Sequence, residues 1–296
     1  MGRDVHRTRL GYIKIPPRAN LDLRYRLAFA PVPRPDRLRA AGLRETSTNS
    51  HPPLPQVNPS DGNYNLAYNL KLAKRAKAAG LQVYLDFHFS DTWADPAHQA
   101  TPAAWERYAI DDLAWEVYNY TLATMDAFQS AGVPVAIAAI GNEITAGLLF
   151  PLGQLSTSTG PYNVARLLHS ASAGIKASSI ATKPKIMIHL DNGWNAATQT
   201  YWYDTVLEQG PFIAADYDIQ GVSYYPFYNP SATLASLKSS FSTMKSKYGK
   251  QVMVVGKISP QFFSPTYQRT WRRMRGTLCV GLSQATVPRR YRAVAA

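Results

Sequence analysis

The chain has 296 residues, room for one large α/β domain or two smaller ones, and 46% hydrophobic residues can supply a sizeable core. Its formal net charge of +13 would suit an anionic partner if the charge were spread evenly, but it is confined to the ends. Residues 1–56 carry ten Arg, one Lys and four acids, residues 257–296 carry seven Arg, one Lys and no acid, and residues 57–256 carry 13 basic and 15 acidic side chains.

This division predicts an Arg-rich segment over 1–56, a near-neutral domain over 57–256 and an Arg-rich tail over 257–296. The one cysteine, Cys279, excludes an intrachain disulfide. No apolar run approaches the length of a membrane span, and the first residues lack an apolar h-region, so neither a membrane segment nor a signal peptide is expected. The clusters Arg272-Arg273, Arg275 and Arg289-Arg290, Arg292 contain one interleaved aromatic, Tyr291, and sit in no periodic apolar pattern. They read as a solvated tail rather than a nucleic-acid site.

Within the middle domain, Asn58, Pro59, Ser60, Asp61 and Gly62 form a turn cluster, and helical spacing follows over 65–79, ended by Gly80. A strand is predicted over 81–87, a helix over 111–131, a strand over 133–140 and a helix over 163–178. A strand over 185–190, a helix over 198–209, a strand over 218–224, a helix over 231–248 and a strand over 251–255 complete the pattern. Five strands alternating with helices imply a parallel sheet. Each strand run ends in polar or aromatic residues, which favours a (β/α)8 TIM barrel over a doubly wound sheet with one switch point. No Gly-rich phosphate loop follows a strand, so no nucleotide cofactor is expected.

The chemistry-bearing residues cluster at those strand ends. Asn142-Glu143 follows the second strand; a glutamate there suits proton donation to a departing sugar oxygen, with Asn142 placed for a sugar hydroxyl or as a helix cap. Asp86, His88, Asp91, Trp93 and His98 follow the first strand, where Trp can stack on a sugar face while Asp and His take hydroxyls. Asp86 also reads as a structural strand-end carboxylate. The His/Asp spacing could suggest a metal, but no HExxH or Cys pattern accompanies it, and no metal is expected. His189, Asp191, Asn192 and Trp194 read as a substrate wall or as a satisfied polar network. Tyr224, Tyr225, Phe227 and Tyr228 read as subsite aromatics or as core. Asn119 opens an N-glycosylation sequon completed by Thr121.

The runs Val57–Asn65, Leu85–Gln99, Gly141–Leu149, His189–Gly193 and Gly221–Tyr228 together resemble the fungal endo-β-1,4-galactanases of glycoside hydrolase family 53 over residues 57–256. The resemblance implies a (β/α)8 barrel, secretion, no cofactor, a monomer, and retaining hydrolysis of the β-1,4-galactan side chains of pectin. It assigns the acid/base role to Glu143 and the nucleophile to the strand that ends at Val255. Two departures follow. Residues 1–56 resemble neither of the family's first two strands, the second of which brings an active-site arginine, so five of eight strands are recognisable and the barrel is expected to be incomplete. Where a nucleophilic glutamate is expected, near Gly256, the chain reads Val254-Val255-Gly256-Lys257. A Gly-Lys pair can be encoded across a GTAAR intron donor, and the G before it, joined to AG or AA, restores a glutamate codon. The tail beyond 256 is therefore expected to be translated intron followed by out-of-frame exon, and residues 1–56 a misread 5′ region. Impaired activity is expected for the chain as it stands. A non-catalytic carbohydrate-binding remnant and a basic-tailed interaction protein are the alternatives.

Overall fold

The computed structural model describes residues 9–15, 66–92 and 94–256. The described elements are β1 (Arg9–Ile15), α1 (Leu66–Ala78), β2 (Leu81–Phe87), α2 (Ile110–Ser130), β3 (Val135–Ala139), α3 (Gly160–Ala177), β4 (Lys185–Leu190), α4 (Ala196–Leu207), β5 (Ile219–Ser223), α5 (Leu234–Tyr248) and β6 (Gln251–Gly256). The strands form one parallel sheet in the order β1-β2-β3-β4-β5-β6, each beside its neighbour in sequence. This is an incomplete (β/α)8 barrel: an arc of sheet with helices on its outer face.

Five of these strands are the ones predicted. The sixth, β1, lies in the segment that resembles nothing in the family, and it pairs in register with β2 from Arg9↔Leu81 to Ile15↔Phe87. The other readings for 1–56 and 257–296 fall outside the described residues. Element ends move by a few residues. The helix predicted from 231 starts at Leu234, because the Thr233 hydroxyl accepts from Ser236 N at 3.0 Å and Ser236 Oγ accepts from Thr233 N at 3.0 Å, a reciprocal cap.

Period-two alternation sends side chains to two separate cores. Val83, Leu85 and Phe87 of β2, with Ile186, Ile188 and Leu190 of β4, pack outward into the cluster shared with α2, α3 and α4. Tyr84, Ala139, Met187 and Ile219 pack inward as a layer, joined by Ile137, Met253 and Val255. This layer is the floor of the barrel interior, and the polar strand ends stand above it. The helices meet closely where Gly174 of α3 faces α2: a Cβ there would stand 2.2 Å from Thr121 Oγ1 and 2.4 Å from the Tyr118 carbonyl.

One outward-facing group is costly. Glu116 of α2 is 3% exposed, and its Oε1 finds no hydrogen-bond partner among the described residues. Burial pushes its carboxyl up to about 7. The folded state thus holds a proton that the unfolded chain releases near pH ~4.3, so stability falls as pH rises from there to about 7. Glu116→Gln should match the parent near pH 4 and exceed it by about 3 kcal/mol above pH ~7.5. Guanidinium melts across that range check this; parallel stability profiles for the two proteins would contradict it.

Candidate active site

Glu143 stands at the C-terminal end of β3 in the left-handed region, at φ 49° and ψ 46°, and opens the 3-10 turn Ile144–Ala146. A non-glycine residue there costs about 1–3 kcal/mol and persists only where its surroundings fix it. Those surroundings are present. Ile144 is fully buried, and its carbonyl accepts from Trp202 Nε1 at 3.0 Å. Gly141, at φ 113°, has to be glycine, since a Cβ would stand 2.7 Å from Ile144 Cγ2. Asn142, 3% exposed, donates from Nδ2 to the Ala94 carbonyl at 2.9 Å. Gln99 Nε2 donates to the carbonyls of Asn142 and Ala94, both at 2.8 Å. Asn142 therefore frames Glu143 by tying the β3 end to the loop after β2.

The end of β4 is tied to the same turn. Asp191 N donates to Thr145 Oγ1 at 3.0 Å, and the Asp191 carbonyl accepts from Gln199 Nε2 at 2.7 Å. The Asp191 carboxylate accepts from Asn192 Nδ2 at 2.7 Å, while its buried Oδ1 has no partner among the described residues. Burial raises its pKa; a hydrogen bond from Thr145 opposes the shift and the negative charge of Glu143 adds to it. The phenol of Tyr225 is likewise raised, first by burial and then by Glu143, with Ser223 acting the other way. Glu143, Asp191, Tyr225 and Ser223 thus share one patch of field above the inner floor.

Beside them lies a second constellation. Asp86 is fully buried, with Oδ2 3.6 Å from His88 Nε2 and 3.7 Å from His189 Nδ1. Burial alone would raise its pKa, but His189 and His88 outweigh this and hold the carboxyl far below its ordinary range. His189 Nε2 is 2.9 Å from Ser223 Oγ, so the chain Asp86–His189–Ser223 links β2, β4 and β5. The sequence grouped Asp86 with His88 but not with His189, and it passed over Ser223, Thr145, Gln99 and Gln199. An inward-parity polar residue next to a strand end was the available signal for Ser223. The register also sets Lys14 of β1 opposite Asp86.

The remaining predicted residues are dispersed. Asp91 Oδ2 accepts from Ala103 N at 3.0 Å and shapes the loop after β2. His98 pairs with Asp95 at 2.8 Å on the exposed surface. Trp93 lies outside the described residues. Asn192, at φ 48°, accepts from Trp194 Nε1 at 3.3 Å on the rim. Tyr224 does not line the cleft: its ring packs with Ala232 and Leu237 and its hydroxyl donates to the Ala232 carbonyl at 2.8 Å. Its outward parity explains this, since Tyr225 takes the inward one. Phe227 and Tyr228 pack on Tyr225, with centroids 6.0 and 6.1 Å away, and Tyr228 is 77% exposed. Asn119 sits within α2, and the sequon hydroxyl of Thr121 is buried and donates to the Val117 and Tyr118 carbonyls.

On β6 the register slips. Val222 pairs with Val254 but Ser223 pairs with Gly256, so one residue, Val255, is bulged out of the count.

Removing the buried carboxylate at the hub should be expensive. Asp86→Ala leaves two imidazoles around a cavity and should cost about 3–5 kcal/mol at pH 7. The Asp86 carboxyl is lowered on folding, so its contribution is present above the unfolded value of about 4 and is lost as pH falls toward the folded value. The gap between parent and variant in urea melts should accordingly narrow below pH ~4; a gap that widens there would rule out this assignment.

Residues 50–265 match the glycosyl hydrolase family 53 profile. An arabinogalactan endo-beta-1,4-galactanase of Humicola insolens is 61% identical over 199 residues, 67% of this chain and 59% of that protein. An arabinogalactan endo-beta-1,4-galactanase A of Emericella nidulans is 58% identical over 213 residues, 71% of this chain and 60% of that protein. Among solved structures, a fungal beta-1,4-galactanase superimposes with a TM-score of 0.64 at 61% identity, covering 67% of this chain and 59% of that one. The Ignisphaera aggregans GH53 catalytic domain superimposes with a TM-score of 0.58 at 30% identity, covering 65% and 50%. The chain thus spans about 60% of the length of these galactanase relatives. With the family match covering most of its length, and with the parallel strands and their polar C-terminal ends in place, this chain belongs to glycosyl hydrolase family 53.

Proposed function

We propose that the chain is the central part of an arabinogalactan endo-β-1,4-galactanase, a secreted retaining glycosidase acting on the galactan side chains of pectin. Glu143 protonates the leaving oxygen and then serves as base toward water. A second carboxylate, about 5–5.5 Å away, forms the covalent glycosyl intermediate in such enzymes. The pairing of Gly256 with Ser223 supports this reading, because Ser223 bonds His189 at the inner strand ends beside the Glu143 turn. Asp191 and Tyr225 lie in the field of the Glu143 carboxylate. Trp194, Tyr225, Phe227 and Tyr228 offer sugar-facing rings along the rim.

With glycine at 256 the intermediate has no nucleophile, and loss of such a group typically removes several orders of magnitude in rate. The purified chain should show no galactan hydrolysis above background, and Gly256→Glu should raise turnover at least ~10³-fold. Robust hydrolysis of β-1,4-galactan by the unaltered chain would place the second carboxylate elsewhere. Sequencing the transcript across the codons for Val255 and Gly256 tests the intron reading; a spliced message that still encodes Gly256-Lys257 would end it. The same glycine supports a second reading, a binding protein that retains the rim aromatics without turnover. Tight binding of galactan oligosaccharides combined with an inert Gly256→Glu variant would favour it.

A further inference from the structure

A second cluster of sugar-compatible groups lies away from the cleft, on the outer wall of the barrel. Asp111, Trp115 and Tyr118 of α2 are spaced i, i+4 and i+7 and so share one stripe of the helix. That stripe borders α3. Asp111 Oδ1 is 2.8 Å from a guanidinium nitrogen of Arg166, and the Tyr118 carbonyl is one of the groups that crowd Gly174. Arg166, Ser170 and Ala173 repeat the same spacing along the facing edge of α3. We propose that this seam is a second binding site, for a chain of neutral hexopyranoses, here β-1,4-galactan. The proposal rests on the galactanase reading, which supplies the polymer.

The Trp115 indole stacks on the Tyr118 ring, with centroids 5.0 Å apart and planes 11° from parallel. Stacking fixes both rings in advance, so a ligand meets an ordered aromatic surface at little entropic cost. Trp115 nevertheless keeps 42% of its surface in water and is the one exposed tryptophan among the described residues; Trp105 and Trp202 are closed into the core. Beside the stack, Ser170 and Ala173 are small and half-buried, which leaves the seam shallow. A pyranose carries apolar C–H faces and a rim of hydroxyls. Its face suits the stacked rings, and its hydroxyls suit Asp111 and Arg166, whose contact uses one oxygen and one nitrogen. That ion pair cancels its own charge, and Asp112 next to it is negative, so an acidic chain is poorly matched.

The place of the seam fits a polymer. Helix α2 starts at Ile110, after the segment that follows β2, so its first turns lie toward the barrel end where the strand C-termini and the cleft stand. A galactan chain held in the cleft keeps its further sugars at high local concentration near this wall. A second, weak contact then adds avidity to the long chain, which a short oligosaccharide seated in the cleft does not gain.

The test compares the full chain with Trp115→Ala, Trp115→Phe and Arg166→Met. Retardation is measured in native gels containing soluble β-1,4-galactan, galactotetraose affinity by calorimetry, and folding by urea melts. Trp115→Ala should weaken retardation by galactan roughly three- to tenfold, Arg166→Met less, and Trp115→Phe least, since a phenyl ring keeps a stacking face. Polygalacturonate should retard none of the proteins through this seam. Galactotetraose should seat in the cleft, its affinity falling with Tyr225→Ala. Asn119 lies one turn from Trp115, so each comparison is repeated with Asn119→Gln, where the Trp115→Ala effect should persist. An effect that vanishes there would make the ring a rest for a glycan and overturn the proposal. If Trp115→Ala melts cooperatively and leaves retardation unchanged while Tyr225→Ala lowers galactotetraose affinity, the proposal fails and the galactanase reading stands. If Trp115→Ala does not fold, Arg166→Met decides, and retardation equal to the parent's overturns the proposal. Retardation by polygalacturonate that depends on Trp115 overturns it as well. If no protein binds galactan or galactotetraose, the galactanase reading fails and takes the proposal with it.

Discussion

Asp86 is shut off from bulk solvent and carries its charge on the inner face near the end of β2. Burying an ionised carboxylate is strongly unfavourable unless partners surround it. Those partners are imidazoles from the residue just past its own strand and from β4, and the second imidazole hands the connection on to Ser223 of β5. Only one relative register of β2, β4 and β5 satisfies all of them. The strand between, β3, is then fixed by pairing on both sides, and Glu143 inherits its position from that frame.

The Glu143 turn is fixed by the same frame. Its left-handed backbone is held from below by the buried Ile144, from one side by Asn142 and Gln99, and from the other by Thr145 against the end of β4. None of these contacts requires β6. The Glu143 side of the cleft is built from β2, β3 and β4, while among the described residues the opposite wall is β5 and β6. Chemistry at one wall can therefore be lost without disturbing the other.

Much of this was legible in the sequence because parallel strands buried on both faces read as apolar runs, and their polar ends then stand out. Glu143, Asp86 and His189 were visible for that reason. Parity was harder to read. Tyr224 and Tyr225 are chemically alike, and only the register of β5 sends one to the helix layer and the other to the cleft. Ser223 is one small polar residue between apolar neighbours, and its role appears only when His189 is placed across from it. Strand β1 was invisible because Arg9, Gly11 and Lys14 break its apolar pattern, and pairing to β2 supplies what local propensity lacks. Thr121 looked like half of a surface sequon, yet it belongs to the α2–α3 seam against Gly174.

The bulge in β6 has a consequence for how alterations at the end of that strand are felt. Met253 and Val255 both pack with the inner layer, and the bulge at Val255 lets Gly256 pair with Ser223. That pairing is made by backbone groups, so a substitution at 256 changes the functional group there without changing the register that positions it. Deleting Val255 would remove the bulge and bring the same residue opposite Ser223 in a regular ladder, whereas inserting one more residue would move it out of that register. Position and identity are separately encoded at this wall.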